Sequence, residues 1–265
     1  MKIVVCVKQV PEVTNVLVDP INGTLIREGV KSILNPFCEY ALDHAVRIAK
    51  TNPGVEVTAI TMGPPQAREA LLRCLELGAD SGILVTDRKF AGADTWATAT
   101  TLAAAIRKTV PDFDLILTGK QAIDGDTAQV GPELAEILAL PQITYGVNVA
   151  FSNNLKRVQV EREVERGYEI VDASLPALVT ISKGEVVRRV PSLQELIASR
   201  KKPIRVVNAL EMDIPEDQLG LKGSFTQVVK VFPPRQKKSG QLLQNIDPEK
   251  AALEIYTFLK NAGFI

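Results

Sequence analysis

The chain has 265 residues, with 31 lysines and arginines balanced by 31 aspartates and glutamates, and 46% of it is hydrophobic. Balanced charge gives no overall field to recruit nucleic acid or an anionic membrane surface, and the length allows one large domain with an appendage or two small ones. The only histidine, His44, excludes a histidine-rich metal centre and leaves histidine-based nucleophilic catalysis without a supporting motif.

Cys6, Cys38 and Cys74 show neither CxxC nor zinc spacing, and Cys6 and Cys74 lie in apolar segments. Buried reduced thiols are expected, which suits the cytosol. The opening "MKIVVCVKQV" is too short in its apolar part for a signal peptide and has no small-residue cleavage site. No apolar run approaches the roughly 20 residues of a membrane span, so a cytoplasmic protein is expected.

In chain order, "KIVVCVKQV" predicts a strand and "NPFCEYALDHAVRIAKT" a helix, with Asn35 at the cap and Pro36 in the first helical position. His44 falls in this helix and is expected on its surface or at an interface. "VEVTAITMG" predicts a strand, followed by the helix "PPQAREALLRCLELGA" with Gly78 as its stop. "GILVTD" and "DTWATATTLAAAIRKT" repeat the pattern, with Asp94 or Thr95 as cap. "FDLILTG" then runs through "KQAIDGDTAQVG" into "PELAEIL". These short, β-branched, almost wholly apolar strands suit parallel pairing with both faces covered. Their alternation with helices predicts right-handed βαβ units and an α/β fold with a doubly wound, mainly parallel sheet.

After Pro141 the pattern alternates polar and apolar. "ITYGVNVAF", "LKRVQVEREV" and "GYEIVDASL" predict an antiparallel addition that rejoins the core at "LPALVTIS". "SLQELIASRKKP" predicts a short helix with Ser192 as cap and Glu195 as its capping-box partner. From about residue 210 periodicity fades into Gly-, Pro- and Lys-rich sequence before a closing helix, "DPEKAALEIYTFLKNAGFI". The division expected is an α/β domain over 1–208 and a C-terminal arm over 209–265, whose apolar stripe (Leu253, Tyr256, Leu259, Phe264) needs a covering surface.

Ligands of doubly wound sheets bind at the carboxyl ends of the strands. The loops "VKQV", "TMGPP", "DRKFAGADT" and "TGKQAIDGDTAQ" should gather there, two of them running into helix N-termini suited to phosphate. In "GDTAQVG", Gly125 is expected to let the backbone turn and Asp126 or Thr127 to cap the helix. The N–H groups of Thr127 to Val130 would then face an anion, with Gln129 able to donate and accept. Neither GxxxxGK[ST] nor GxGxxG is present. The residues alone leave open a nucleotide-phosphate site, a merely well-capped helix, or a metal site built on Asp124 and Asp126.

"VKQVPE", "LNPFCEYALDHAVR", "TMGPPQAREALLRCLELGAD", "GKQAIDGDTAQVGPELAEIL" and "VEREVERGYEIVDASLPALVTI" occur here in order. Together they resemble the β subunit of electron-transfer flavoproteins over nearly the whole chain. The resemblance implies a Rossmann-like, adenine-nucleotide alpha-hydrolase-like fold and a heterodimer with an α subunit that carries FAD. The C-terminal arm and helix would pack on that subunit. In ordinary members the β subunit holds a structural AMP. In bifurcating members a second FAD accepts a hydride from NADH. One electron then goes to ferredoxin or flavodoxin, and the other passes through the α-subunit FAD to an acyl-CoA dehydrogenase-like or lactate dehydrogenase-like flavoenzyme. Any NADH oxidation would belong to the complex.

AMP-binding members tend to read "AIDDDxNQTG" where this chain reads "AIDGDTAQVG". Gly125 and Ala128 thus remove bulk and a charge from the mouth of the loop. "GADTWATAT" also looks like the FAD-binding version, with Asp94, Thr95 and Thr98 as polar partners of the longer cofactor. Carried over by position, the nucleotide would be lined by Cys6, Val7, Lys8, Asn35, Met62, Gly63, Gly119 and the loop Asp124, Gly125, Asp126, Thr127, Ala128, Gln129, Val130 and Gly131. The resemblance places a partner-anchoring leucine at Leu193, beside the basic run Arg200, Lys201 and Lys202, which would be a solvated face or a steering patch. A non-redox ATP- or AMP-binding module is the alternative reading. Such modules usually carry a Gly- and Ser-rich loop after the first strand, where this chain has "VKQVPEVTN".

Overall fold

A computed structural model describes residues 1–12, 31–152, 155–183, 190–229 and 244–265. The middle of the expected arm, 230–243, and Asn153 and Asn154, between two strands of the expected antiparallel addition, lie outside the described residues. The first strands and helices are β1 (Lys2–Cys6), β2 (Gln9–Pro11), β3 (Ser32–Leu34), α1 (Pro36–Thr51), β4 (Glu56–Met62), α2 (Arg68–Leu77), β5 (Ser81–Val85), α3 (Thr95–Thr109), β6 (Leu115–Gly119) and α4 (Val130–Leu138). They are followed by β7 (Gln142–Ser152), β8 (Arg157–Val164), β9 (Gly167–Ser174), β10 (Ala177–Ile181), α5 (Leu193–Ser199), β11 (Ile204–Val207) and α6 (Pro248–Asn261).

The main sheet has nine strands in the order β11-β5-β4-β1-β6-β10-β7-β8-β9. Pairing is parallel from β11 through β10 to β7, and β8 and β9 add the antiparallel extension. From β1 the chain winds outward through β4 and β5, then returns to place β6 on the other flank of β1. The ends of β1 and β6 therefore form the switch point where a doubly wound sheet opens a crevice.

Alternation along the strands divides the core into two faces. Ile3, Val5, Leu115 and Leu117 join the α1 and α2 residues in one apolar cluster. Val4, Cys6, Ile60 and Ile116 join α3 and α4 in the other, with Met62 packed against it. All three cysteines are buried and free, as their settings predict.

Several local readings need correction. The opening strand is split, because β2 leaves the main sheet and pairs with β3. Val7 still donates to Ile60 O, while Lys8 O accepts from the Asn35 N–H. His44 is not a surface residue: it is 1% exposed. Asn35 stands at the N-terminus of α1 but its side chain makes no cap bond. Gly78 does end α2, with a φ of 125°. The capping box of α5 is present, with Glu195 N–H donating to Ser192 Oγ and the Glu195 carboxylate accepting from Ser192 N–H. Lys202 is no free surface charge, since its Nζ donates to Leu75 O and Ala79 O at the end of α2.

The described residues divide into two compact units. Residues 209–229 belong with the sheet, and Ala209, Met212 and Leu219 enter its core. The other unit's described part, 244–265, carries α6. Asp247 caps that helix by accepting from Glu249 N–H and Lys250 N–H, and none of its residues is buried. No helix among the described residues is long and apolar enough to cross a membrane.

Candidate functional site

Three segments meet at the switch point through explicit bonds. Asn35, 1% exposed, donates from Nδ2 to Gln121 O (2.8 Å) and to Cys38 Sγ (3.2 Å), and accepts at Oδ1 from Ile123 N–H (3.2 Å). Lys8 Nζ meets Asp124 Oδ1 at 2.8 Å. The end of β1, the start of α1 and the loop after β6 are thereby stitched into one wall. Gly119 permits this closeness, because a Cβ there would lie 2.7 Å from the backbone carbon of Phe37 and 2.8 Å from Cys38 N.

The opposite wall is formed by the starts of α3 and α4. Thr95 Oγ1 donates to Glu133 Oε1 at 3.0 Å and lies 3.5 Å from Gln129 Oε1. Asp94, rather than Thr95, caps α3 by accepting from Ala97 N–H at Oδ1. Its Oδ2 accepts from both the N–H and the hydroxyl of Thr226, and Asp94 N–H donates to Ser224 Oγ. Burial raises the Asp94 pKa, but the N–H groups of Ala97 and Thr226 outweigh it and hold the carboxyl below its ordinary range. Thr98 follows one helical turn into α3, its N–H bonded to Asp94 O. Cys6 and Met62 join the α3/α4 side of the core, whereas Val7 joins the α1/α2 side. Gly63 donates to Val85 O, and a Cβ there would lie 2.9 Å from that of Ala67.

The loop 124–131 differs from its expected geometry. Its left-handed turns fall on Asp126 (φ 58°) and Ala128 (φ 57°), not on Gly125. A Cβ at Gly125 would meet nothing within 4 Å. Asp tolerates this region through its short polar side chain, while alanine there costs on the order of 1–2 kcal/mol. Neither Asp126 nor Thr127 caps the helix: α4 starts at Val130, with Gln129 in the cap position and no side-chain cap bond. Asp126 instead accepts from Gln121 Nε2. Gly131 lets α4 sit against the sheet, because a Cβ would lie 2.6 Å from Thr180 Cγ2.

This arrangement suits binding an anion more than proton transfer. The start of α4, which no side chain caps, presents backbone N–H groups and the positive end of its dipole, whereas the Asp94 carboxylate already occupies the start of α3. Burial pushes the Cys6 and Cys38 thiols up, although the Asn35 amide and the N–H groups of Lys8 and Gly119 oppose it at Cys38. Both therefore stay protonated at neutral pH. No cluster among the described residues could hold a metal ion, and Asp124 is committed to Lys8. Burial also raises the Glu133 carboxyl, against the Thr95 hydrogen bond and helped by the charge of Asp94.

The sequence reading missed Gln121, Glu133 and the strap 224–226. Glu133 sits in the first turn of α4, where a carboxylate normally just complements the helix dipole. Leu193 lies elsewhere, 73% exposed at the start of α5.

Residues 22–212 match the electron transfer flavoprotein domain. The chain is 45% identical over 265 residues to an electron transfer flavoprotein subunit beta of Clostridium acetobutylicum, covering all of both chains. It is 43% identical over 265 residues to the caffeyl-CoA reductase-Etf complex subunit CarD of Acetobacterium woodii, again covering all of both. It is 43% identical to the acryloyl-CoA reductase electron transfer subunit gamma of Anaerotignum propionicum, over 94% of this chain and 95% of that one. With its parallel sheet and antiparallel extension, and with these matches over its whole length, the chain belongs to the electron transfer flavoprotein family, among the beta subunits.

Proposed function

We propose that this chain is the β subunit of a bifurcating electron-transfer flavoprotein and that its crevice holds FAD. The observation that carries the reading is the mouth of the 124–131 loop. Gly125 faces open space, and Ala128 keeps a left-handed backbone with the smallest side chain that has a Cβ. Room is thus left where an aspartate and an asparagine would narrow the exit from the phosphate site.

In this reading the α4 start holds a phosphate, Lys8 and Asp124 close one rim, and Thr95 with Thr98 lines the path of the longer cofactor. The chemistry supplied by a bound FAD would be hydride acceptance from NADH and one-electron release. Electrons would leave to ferredoxin or flavodoxin, and through the α-subunit FAD to an acyl-CoA dehydrogenase-like or lactate dehydrogenase-like flavoenzyme. Leu193 and α6 are assigned to protein partners, Leu193 to the dehydrogenase and α6 to the α subunit. One observation favours the smaller ligand, AMP: both carboxylate oxygens of Asp94 are already engaged, by Ala97 and Thr226. The carboxylate then has one acceptor site left, on Oδ1, to offer the longer cofactor.

Flavin counting separates the two. The heterodimer reconstituted with its α subunit should carry two FAD, and Gly125→Asp combined with Ala128→Asn should reduce this to one. A count of two in the double variant overturns the account of these substitutions. A wild-type count of one, with AMP released on denaturation, makes the site an AMP site.

A further inference from the structure

Thr118 is the fourth residue of β6 and is 5% exposed, yet its hydroxyl has no hydrogen-bond partner among the described residues. Strand alternation places it with Ile116 on the face that packs against α3 and α4. Its neighbours across the sheet are Cys6 of β1 and Thr180 of β10. A Cβ built on Gly131 would lie 3.0 Å from Thr118 Oγ1, so the hydroxyl sits directly beneath the second residue of α4.

We propose that the Thr118 hydroxyl is a direct ligand of the phosphate held at the start of α4. The inference rests on the reading of this crevice as a nucleotide site and adds a donor to its floor. Buried hydroxyls are nearly always paired, and a valine would fill the same volume without the cost of desolvation. An orphaned hydroxyl at this position is explained by a partner that arrives with the ligand. The helix itself supplies a reason for the extra donor. Its first three residues are Val130, Gly131 and Pro132, and proline has no N–H. The first turn of α4 thus offers one donor fewer than an ordinary helix start. A threonine hydroxyl rising from the strand below restores it, and Gly131 keeps the route between them clear of side chain.

The test compares the full chain with its Thr118→Val and Thr118→Ser variants after removal of bound nucleotide. Affinities for AMP and for FAD are measured by calorimetry, and the thermal midpoint of each nucleotide-free chain is recorded. Thr118→Val should weaken AMP binding about tenfold. Thr118→Ser should keep affinity within about threefold of the parent. The nucleotide-free Thr118→Val chain should melt at the same temperature as the parent or higher, because it no longer buries an orphaned hydroxyl. A merely structural hydroxyl predicts the opposite shift in melting.

Unchanged AMP affinity in Thr118→Val overturns the proposal, as does a loss matched by an equal drop in melting temperature. If AMP binds and weakens as expected while FAD does not bind, the FAD reading fails and the role of Thr118 stands. If both nucleotides bind and Thr118→Val affects neither, the reverse holds. A wild-type chain that binds neither overturns both.

Discussion

The imidazole of His44 is closed in beneath α1, and Arg47 Nη2 lies 3.2 Å from its Nδ1. A guanidinium can only donate, so Nδ1 must be the acceptor and the neutral ring carries its proton on Nε2. Burial, reinforced by the Arg47 charge, lowers the pKa from 6.5 to about 4. A backbone hydrogen bond with Val147 opposes the shift without reversing it. The unfolded chain therefore takes up a proton near pH 6.5 that the folded chain refuses until about pH 4. The associated stability is present above pH 6.5 and is lost as the pH falls towards 4. The thermal midpoint should drop between pH 7 and pH 5, and it should drop less in His44→Gln. Parallel drops in the two proteins would show that His44 is not the source. None of this was legible in "CEYALDHAVRIA", where helical periodicity marks a face but does not say how much of it the sheet covers.

At the scale of elements, sequence and structure agree wherever the signal is local. The apolar strands, the glycine stop at Gly78 and the Ser192–Glu195 box are all set within a few residues of one another. Disagreement begins where a distant segment decides. Asn35 has the identity of a cap, yet the loop after β6 claims its amide. Asp94 has a cap's identity and role, but nothing near it announces Thr226 as a second partner. β11 shows little periodicity of its own and becomes a strand by pairing with β5. Lys202 looks like one charge of a basic run, and the end of α2 takes it. Its ammonium donates to Ala79 O just past the helix and adds a second donor to Leu75 O, which already accepts from Gly78 N–H, a contribution of roughly 1–2 kcal/mol. Lys202→Met should lower stability by that amount in chemical denaturation. An unchanged midpoint would mean that water serves those carbonyls equally well.

For the whole molecule, the crevice illustrates the same division. That ligands would bind where β1 and β6 part follows from the winding order alone, and "GDTAQVG" marks a helix start beside it. The fine geometry does not follow, because the left-handed turns at Asp126 and Ala128 and the pairing of Lys8 with Asp124 depend on packing around them. At the other extreme stands α6, with Leu253, Ile255, Tyr256 and Phe258 all more than half exposed. A 14-residue helix with no buried residue draws its order from its own hydrogen bonds and the Asp247 cap, which is marginal for that length in water. Any surface that receives it must provide both the contact and the free energy of forming the helix. Docking of α6 should therefore carry a large negative heat-capacity change, visible as a titration enthalpy that grows steeply more negative with temperature. A chain truncated after residue 243 should lose most of that slope, whereas an unchanged slope would place the buried surface elsewhere. Calorimetry would then see the assembly of this protein as a small act of folding.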